Sequence, residues 1–453
     1  MTAQHVHVDA LPLWQSVSPK LTFVDSPLKR AERFTYLGWD LDEQTVTGRW
    51  SSDGLIFSES VTFETGGDLE SPATQAVIGL WYLIAGLSYY KTGAAHTIDL
   101  GATPVGKAGL DLFRAALIDG LGEYSFRNQL PLHDVEIIGG SPVEVTTATV
   151  DPFRVVTPFG GGIDSVVTVT HLSAKLSQSL FVMSPAAGRF APLEATAAIT
   201  GLPILRVSRS LDEKLLSPNP AFINGHVPVT AMVTLLACAS ALAHSFGGVA
   251  MSNEHSSSVP NMTWNGQVIN HQWSKSAVAE ELLAKAIAER VGKDFTIASF
   301  LRDRSEIWVA QEMAKQDHYL PVFRSCNRAF AQEESRRADN WCGVCDKCLF
   351  INLVLAPFVP RSKLKEIFGS EPLANPALIN QLEVLVGLGS EHKPFECVGD
   401  PDESAVALLK VTEDTEWADV EHLSELASRL EPLQSFESLL IPQGGNHVPA
   451  HWL

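Results

Sequence analysis

Residues 157–165 read TPFGGGIDS, with three consecutive glycines between one apolar, β-branched run, FRVV (153–156), and another, VVTVT (166–170). Apolar runs flanking a glycine cluster predict a strand, a tight turn and a helix. Glycines in succession are costly to order, because each loses more conformational freedom on folding than any other residue. Such a turn lets backbone N–H groups approach an anion closely, and the partial positive charge of the helix start adds to the attraction. A glycine-rich turn also serves simply to pack a strand and a helix tightly, and the triple glycine alone does not separate the two uses. Asp164 and Ser165 follow at once and favour the phosphate reading. The loop is not of the Walker type, since no GK[ST] follows, and it lacks the GxGxxG of a dinucleotide turn. A carboxylate in the first helical turn is out of place beside phosphate unless it holds Mg²⁺, which then bridges the phosphate oxygens.

Working outward, strand and helix alternate. FRVVTPF predicts a strand and DSVVTVTHLSAKL a helix, then SLFVMSP, EATAAITG and LPILRVSR a strand, a helix and a strand. An apolar helix at 229–245, a strand GGVAMS and a helix SKSAVAEELLAKAIAERVG continue the series. This spacing predicts an α/β parallel sheet over 151–325. Residues 1–150 read as a separate α+β domain. It has two strands around SSDG, within 34–64, and helices over 72–91 and 107–120. A cysteine segment with its helix (326–355) and a helical, acidic region (356–453) complete the chain.

At 453 residues the chain is long enough for two or three domains and a large core. Hydrophobic residues make up 45% and charged residues 19%, a globular composition. The 33 basic residues are outnumbered by 52 acidic ones, for a net charge of -19, and no basic run stands out, so nucleic acid is not expected as a partner. The N-terminus lacks the pattern of a secretory signal. The most apolar stretch, 229–243, is shorter than the roughly 20 residues a membrane span needs, so a buried helix and a cytoplasmic protein are expected.

Four of six cysteines crowd into 326–348, in SCNRAFAQEESRRADNWCGVCDKC. The spacing C-x-x-C-x-x-C at Cys342, Cys345 and Cys348 turns sulfurs towards one point and suits tetrahedral Zn²⁺, with Cys326 as the candidate fourth ligand. Small buried residues are the alternative, and Cys238 and Cys397 read as ordinary packed thiols. Polar residues also crowd where parallel strands should end: MSNEHSSSVPN (251–261), offering Asn253, Glu254, His255 and Ser256, and NHQWSKS (270–276), offering His271 and Lys275. Ligands of open α/β sheets bind beyond the carboxyl ends of strands. Ser274 is read as a possible helix cap.

GGGIDS (160–165) resembles the SGGxDS loop of the ATP-pyrophosphatase class, whose members cleave ATP to AMP and pyrophosphate while adenylating a substrate. Gly161, Gly162, Asp164 and Ser165 match, while Gly160 stands where that motif has serine. The cysteine run is similar to that of cyanodeazaguanine synthases of the same class. Taken with MSNEHSSS, NHQWSKS, WCGVCDKC, HKPFECVGDPDE (392–403) and GLSYYK (86–91), the loop makes the whole chain resemble the MurL family of UDP-N-acetylmuramoyl-L-alanyl-L-glutamate epimerases.

That resemblance implies a PP-loop, adenine nucleotide alpha hydrolase-like core. It also implies epimerisation of the terminal L-Glu of UDP-MurNAc-L-Ala-L-Glu to D-Glu through an acyl-adenylate, with ATP and Mg²⁺ consumed to AMP and diphosphate, in peptidoglycan synthesis. Gly160, Gly161, Gly162, Asp164, Ser165, Asn253 and Glu254 are then expected to hold ATP, with Asp164 on Mg²⁺. His255, Lys275 and His271 are the candidate Cα bases, in that order, and the first domain is the candidate site for the UDP-sugar. The alternatives are another adenylating enzyme making an amide, nitrile or thio-product, and a nucleotide- or zinc-binding protein without turnover.

Overall fold

The structure, a computed structural model, describes residues 29–186, 188–217, 219–326, 328, 338, 340–389 and 392–453. Twelve strands are present among them: β1 Arg33–Asp42, β2 Thr45–Ser52, β3 Leu55–Phe63, β4 Thr97–Asp99, β5 Glu136–Ile138, β6 Asp151–Pro158, β7 Ser177–Pro185, β8 Ile204–Ser210, β9 Phe246–Met251, β10 Met262–Trp264, β11 Gln267–Ile269 and β12 Thr296–Ser299. Ten of them form one sheet in the order β12-β9-β6-β7-β8-β3-β2-β1-β4-β5, and β10 and β11 form a separate ribbon.

The strands β12, β9, β6, β7 and β8 are parallel to one another, as the alternating pattern predicts. The N-terminal strands do not form a sheet of their own. β3 pairs antiparallel with β8, so the meander β1–β2–β3 extends the parallel sheet. At this seam the guanidinium of Arg209 on β8 meets the fully buried carboxylate of Glu59 on β3 at 2.6 Å, and Tyr89 Oη donates to the same carboxylate at 2.9 Å. The meander has three strands where the sequence suggested two. The missed turn is at Glu43 and Gln44, where Glu43 takes φ +52° without the glycine or proline that usually marks a turn.

Helices cover both faces. On one, Pro72–Ala85, Lys107–Ile118, Val229–Ala243 and Ala277–Val291 share a core with the meander, so the N-terminal helices pack against those of the parallel region. The first opens with Pro72 behind the cap Ser71, whose Oγ accepts from Thr74 N at 3.2 Å. The apolar stretch 229–243 is a largely buried helix, and no helix of the described residues is long and apolar enough to cross a membrane. On the other face, Ile163–His171, Ala191–Thr200, Glu306–Ala314 and Asp346–Leu355 pack with the C-terminal helices, among them Pro401–Thr412. The molecule is thus α/β with a large, mostly parallel sheet and a helical C-terminal part.

Candidate active site

Two consecutive crossovers run from β6 to β7 and β8 on one side, and the chain then returns to β9 on the other side of β6. The crevice beyond the carboxyl ends of β6 and β9 is therefore where the winding reverses, the usual ligand position in such sheets. TPFGGGIDS lies at the end of β6 and SNEHSSS at the end of β9.

The glycine loop is built to leave space. A Cβ on Gly160 would meet no atom within 4 Å. One on Gly162 would sit 2.6 Å from Ser325 Oγ, and Gly161 has φ +73° with a Cβ position 3.2 Å from Leu193 Cα. Helix Ile163–His171 begins after Gly162 with no side chain capping its free N–H groups. Ser165 Oγ donates to Gly162 O at 3.1 Å, and Arg324 N donates to Gly161 O at 3.1 Å. The space at Gly160 would accept a serine, and nothing in the structure explains the glycine.

Asp164 faces a group of acids. Burial and the neighbouring Glu254 push its carboxyl up to about 7, against the pull of Lys347 and Lys275. Glu306, 2% exposed at the start of its helix, is pushed well above the carboxylate range by burial, Glu254 and Asp164. Glu403 rises to about 8 through burial and Asp400, and its Oε2 accepts from Glu306 N at 2.8 Å. Asp164 Oδ1 and Glu306 Oε2 are buried with no hydrogen-bond partner. Crowded hard oxygens lacking partners are the donor set that Mg²⁺ takes.

Arg302 holds the end of β9 against the next segment. It donates to the carbonyls of Glu254 (3.1 Å) and Lys275 (2.7 Å) and pairs with Glu280 at 2.7 Å. Asn253 donates to Ser299 Oγ at 3.0 Å, which ties β9 to β12. Ser256 Oγ lies 3.4 Å from Glu306 Oε1. His255 stands apart: its side chain is exposed, and its backbone N donates to Arg304 O. The residue capping the following helix is Ser276, not Ser274, and its Oγ accepts from Ala279 N at 3.2 Å. Ser274 is buried in the preceding turn.

Beside the acids lies a group that the sequence did not bring together. His271 Nδ1 is 2.5 Å from Glu123 Oε2, on helix Gly122–Arg127, and Arg127 holds the other Glu123 oxygen at 2.6 Å. His226 lies beside His271, ring centroids 4.3 Å apart and planes tilted by 42°. Burial alone would lower His271, but hydrogen bonds with Cys397 and Glu123 raise it to about 9. Burial and the His271 charge lower His226 to about 3. Glu123, which burial would raise, is brought down to about 2 by His271. Cys397 hydrogen-bonds to His271 and Lys275; burial would raise the thiol, yet Lys275, His271 and Lys347 bring it down to about 5. Lys275 is held above its ordinary range, since Cys397, Glu254 and Asp164 outweigh its burial. Cys397 is thus no ordinary packed thiol. Its only sequence signal was its place in HKPFECVGDPDE.

The other four cysteines converge as their spacing suggests. The sulfurs of Cys326, Cys342, Cys345 and Cys348 all lie within 4.8 Å of one another, with Cys342–Cys348 at 3.6 Å and Cys345–Cys348 at 3.5 Å. Four thiolates on one Zn²⁺, each at about 2.3 Å, lie roughly 3.8 Å apart, so this set fits the metal. The backbone N of Cys342 also donates to Cys326 Sγ at 3.4 Å, which fixes Cys326 in the group.

Two family models match the chain, the MurL N-terminal domain over residues 26–300 and the MurL C-terminal domain over 322–438. The chain belongs to the MurL family. Among its relatives, a protein of a Micromonospora species is 37% identical over 448 residues, spanning 93% of this chain and 97% of its own length. One from Salinispora tropica is 38% identical over 418 residues, covering 88% and 89%. One from Xanthomonas oryzae is 32% identical over 395 residues, covering 84% and 86%. All three are named UDP-N-acetyl-alpha-D-muramoyl-L-alanyl-L-glutamate epimerase. This MurL chain is accordingly an epimerase, an isomerase by class. No solved structure matches it. The two family models divide at 300–322, whereas the site draws Glu123 and His271 from the first and Cys397 from the second.

Proposed function

We propose that the chain inverts the terminal L-Glu of UDP-MurNAc-L-Ala-L-Glu, using ATP to adenylate the glutamate carboxylate and releasing AMP and diphosphate. The observation that carries this reading is Asp164. Its unpartnered buried oxygen lies in the first turn of an uncapped, glycine-lined helix start, at the crevice where the sheet reverses. The same features support a PP-loop core. The relatives' names support the substrate.

The chemistry explains why ATP is needed. Removing the Cα proton beside a free carboxylate would place a second negative charge next to the first. Adenylation removes that charge and turns the carbonyl into an electron sink, and each ~1.4 kcal/mol taken off the barrier is worth tenfold in rate. The N–H groups after Gly160, Gly161 and Gly162 would hold phosphate oxygens, while Asp164, with Glu254 and Glu306, would hold Mg²⁺. That ion supplies charge neutralisation at the phosphates. Cys326, Cys342, Cys345 and Cys348 would hold a structural Zn²⁺ that fixes the C-terminal helices to the sheet. Glu123 reaching the site supports a substrate-binding role for the N-terminal region. ATP and a nucleotide-linked substrate are consistent with a cytoplasmic enzyme.

Incubation with UDP-MurNAc-L-Ala-L-Glu, ATP and Mg²⁺ in D₂O tests the reading. AMP, diphosphate and a D-Glu product carrying deuterium at Cα are expected. AMP without deuterium would replace epimerisation by ligation or amidation, and no AMP at all would remove the adenylation.

A further inference from the structure

We propose that Cys397 takes the Cα proton, acting in a Cys397–His271–Glu123 triad assembled from three distant parts of the chain. The inference deepens the reading above and rests on the carboxylate being adenylated first.

The geometry is that of an activated nucleophile or base oriented by a third group. Glu123 Oε2 lies 2.5 Å from His271 Nδ1, which fixes the ring and its proton, while Arg127 holds the remaining Glu123 oxygen. The imidazole in turn bonds the Cys397 thiol, and Lys275 bonds it as well. Cys397 is partly exposed as a residue, although the segments around it are fixed. Gln272, next to His271, donates to the carbonyl of Val398, next to Cys397, at 3.0 Å. Asn261 accepts from His271 N at 2.7 Å and donates to the carbonyls of Lys393 (3.1 Å) and Pro394 (2.7 Å). Phe395 packs on Phe126 and Arg127 of the Glu123 helix. These side chains together lock the Cys397 loop to the elements that supply its partners.

The surroundings favour the thiolate. Lys275, His271 and Lys347 face it as cations, and Asp164 and Glu396 interact with it from the acid side. Both anionic neighbours are themselves pushed up, Asp164 to about 7 and Glu396 to about 8, mainly by burial. These cations pull the thiol below its ordinary range, while the loop contacts keep it facing them. Asp164 is coupled by charge to both Cys397 and Lys275, which puts the thiolate in the same charged cluster as the carboxylate proposed to hold Mg²⁺. In the step, the Cα–H bond breaks and its proton forms an S–H bond with the thiolate, while the electron pair moves onto the activated carbonyl. Water delivers a proton to the opposite face, and the thiol returns its own to solvent.

The test is the ratio of deuterium at Cα to AMP released, in D₂O with UDP-MurNAc-L-Ala-L-Glu, ATP and Mg²⁺. In Cys397→Ser this ratio is expected to fall by at least ~100-fold relative to wild type, the scale of a lost general base. A merely structural role would lower both quantities together and leave the ratio unchanged, which overturns the proposal. Wild type that releases no AMP would instead sink the adenylation reading on which the proposal rests. A second measurement needs no catalytic turnover: the pH dependence of iodoacetamide alkylation, read by mass spectrometry on the Cys397 peptide. Reaction is expected to follow a thiolate formed well below the ordinary ~8.5, with His271→Gln moving the midpoint up by about a unit or more. An ordinary midpoint in wild type contradicts the triad. An acyl group found on Cys397 in quenched mixtures would make it a nucleophile and overturn proton transfer.

Discussion

The chain sets two kinds of cysteine side by side. Cys342, Cys345 and Cys348 lie within seven residues of sequence, and their sulfurs meet because a short loop runs straight into helix Asp346–Leu355. Cys397 meets His271 across 126 positions and, through it, Glu123 across 148 more, with nothing in the local sequence of any of the three to announce the others. The first cluster is a property of a segment, the second of a fold. Local spacing is readable because chain geometry alone limits where the side chains can point. Convergence across segments depends on the sheet order, which must be known before the residues can be paired.

The glycine loop stands between these cases, and its variant carries the largest expected effect. Asp164 is readable as a ligand from its place after the glycines, yet its acidic partners Glu306 and Glu403 come from the C-terminal half. In Asp164→Asn, AMP release is expected to fall by about 10³-fold or more, roughly 4 kcal/mol of barrier, as when a group stabilising developing charge is removed. Thermal stability should not fall, because the substitution removes one member of a repelling group. Turnover near the wild-type level would show that the loop carries no metal-dependent step.

Replacing Cys345 by Ser probes the sulfur cluster. Zinc content is expected to drop from about one per chain to a small fraction, with Tm lower by roughly 10 °C, because metal binding in structural sites is folding free energy. If zinc were absent from wild type, the four thiols would be a packing cluster. Glu123→Gln probes the assembled site instead. It leaves the His271 ring in place but weakens its charge, so exchange at Cα should slow by about 10²-fold while zinc content stays unchanged. Loss of both readouts in either variant would merge what the two kinds of cysteine keep apart.

The acids give a smaller effect with a definite sign. Asp164, Glu306, Glu396 and Glu403 have raised carboxyl pKa values in the folded protein. The stability they contribute is complete below the ordinary carboxylate range near pH 4 and is lost as pH rises, through about 7 for Asp164 and about 8 for Glu396 and Glu403, with Glu306 adding loss of the same sign. His271, raised to about 9, adds loss of the same sign between its ordinary value of 6.5 and about 9, while Cys397, lowered from 9.0 to about 5, adds gain between about 5 and 9.0. The Cys397 gain is the larger of the two, but four raised carboxyls outweigh it, so the acids decide the trend. Without Mg²⁺, Tm should fall by roughly 5 °C between pH 5 and pH 8, and added Mg²⁺ should restore part of it at pH 8. A flat profile would mean that the crowded carboxylates are relieved by other means.

How far the sequence was readable follows from the same distinction. The alternation after Asp151 gave the parallel strands, and the glycines with the polar ends of β6 and β9 gave the crevice, because each rests on a local pattern. The joining of β3 to β8 was not readable, since an antiparallel pairing such as Ser60 with Ser210, far apart in the chain, leaves no trace in either strand. Glu123 was hidden for a similar reason: it lies in a short helix of mixed character whose buried face shows only when β11 and the His271 turn pack against it. Lys275 and His271 were singled out for lying beyond a strand end and prove to touch Cys397. Asn253, from the same reasoning, donates to Ser299 and ties two strands together.

His255 gives the finest test of that reasoning, because it shares the stretch SNEHSSS with Glu254 and differs from it only in direction. A short 3-10 turn, His255–Ser258, starts there, so successive side chains point to different sides. Glu254 turns inward and is 3% exposed, while the His255 ring faces solvent. Its titration range made it attractive as a base, but a base must lie within hydrogen-bond reach of the proton it takes. His255→Ala is therefore expected to change epimerisation by less than about twofold and stability by less than ~0.5 kcal/mol, as for surface substitutions away from special features. A larger loss in deuterium uptake would mean that this turn rearranges around bound substrate. It would also bring His255 into competition with Cys397 for the Cα proton.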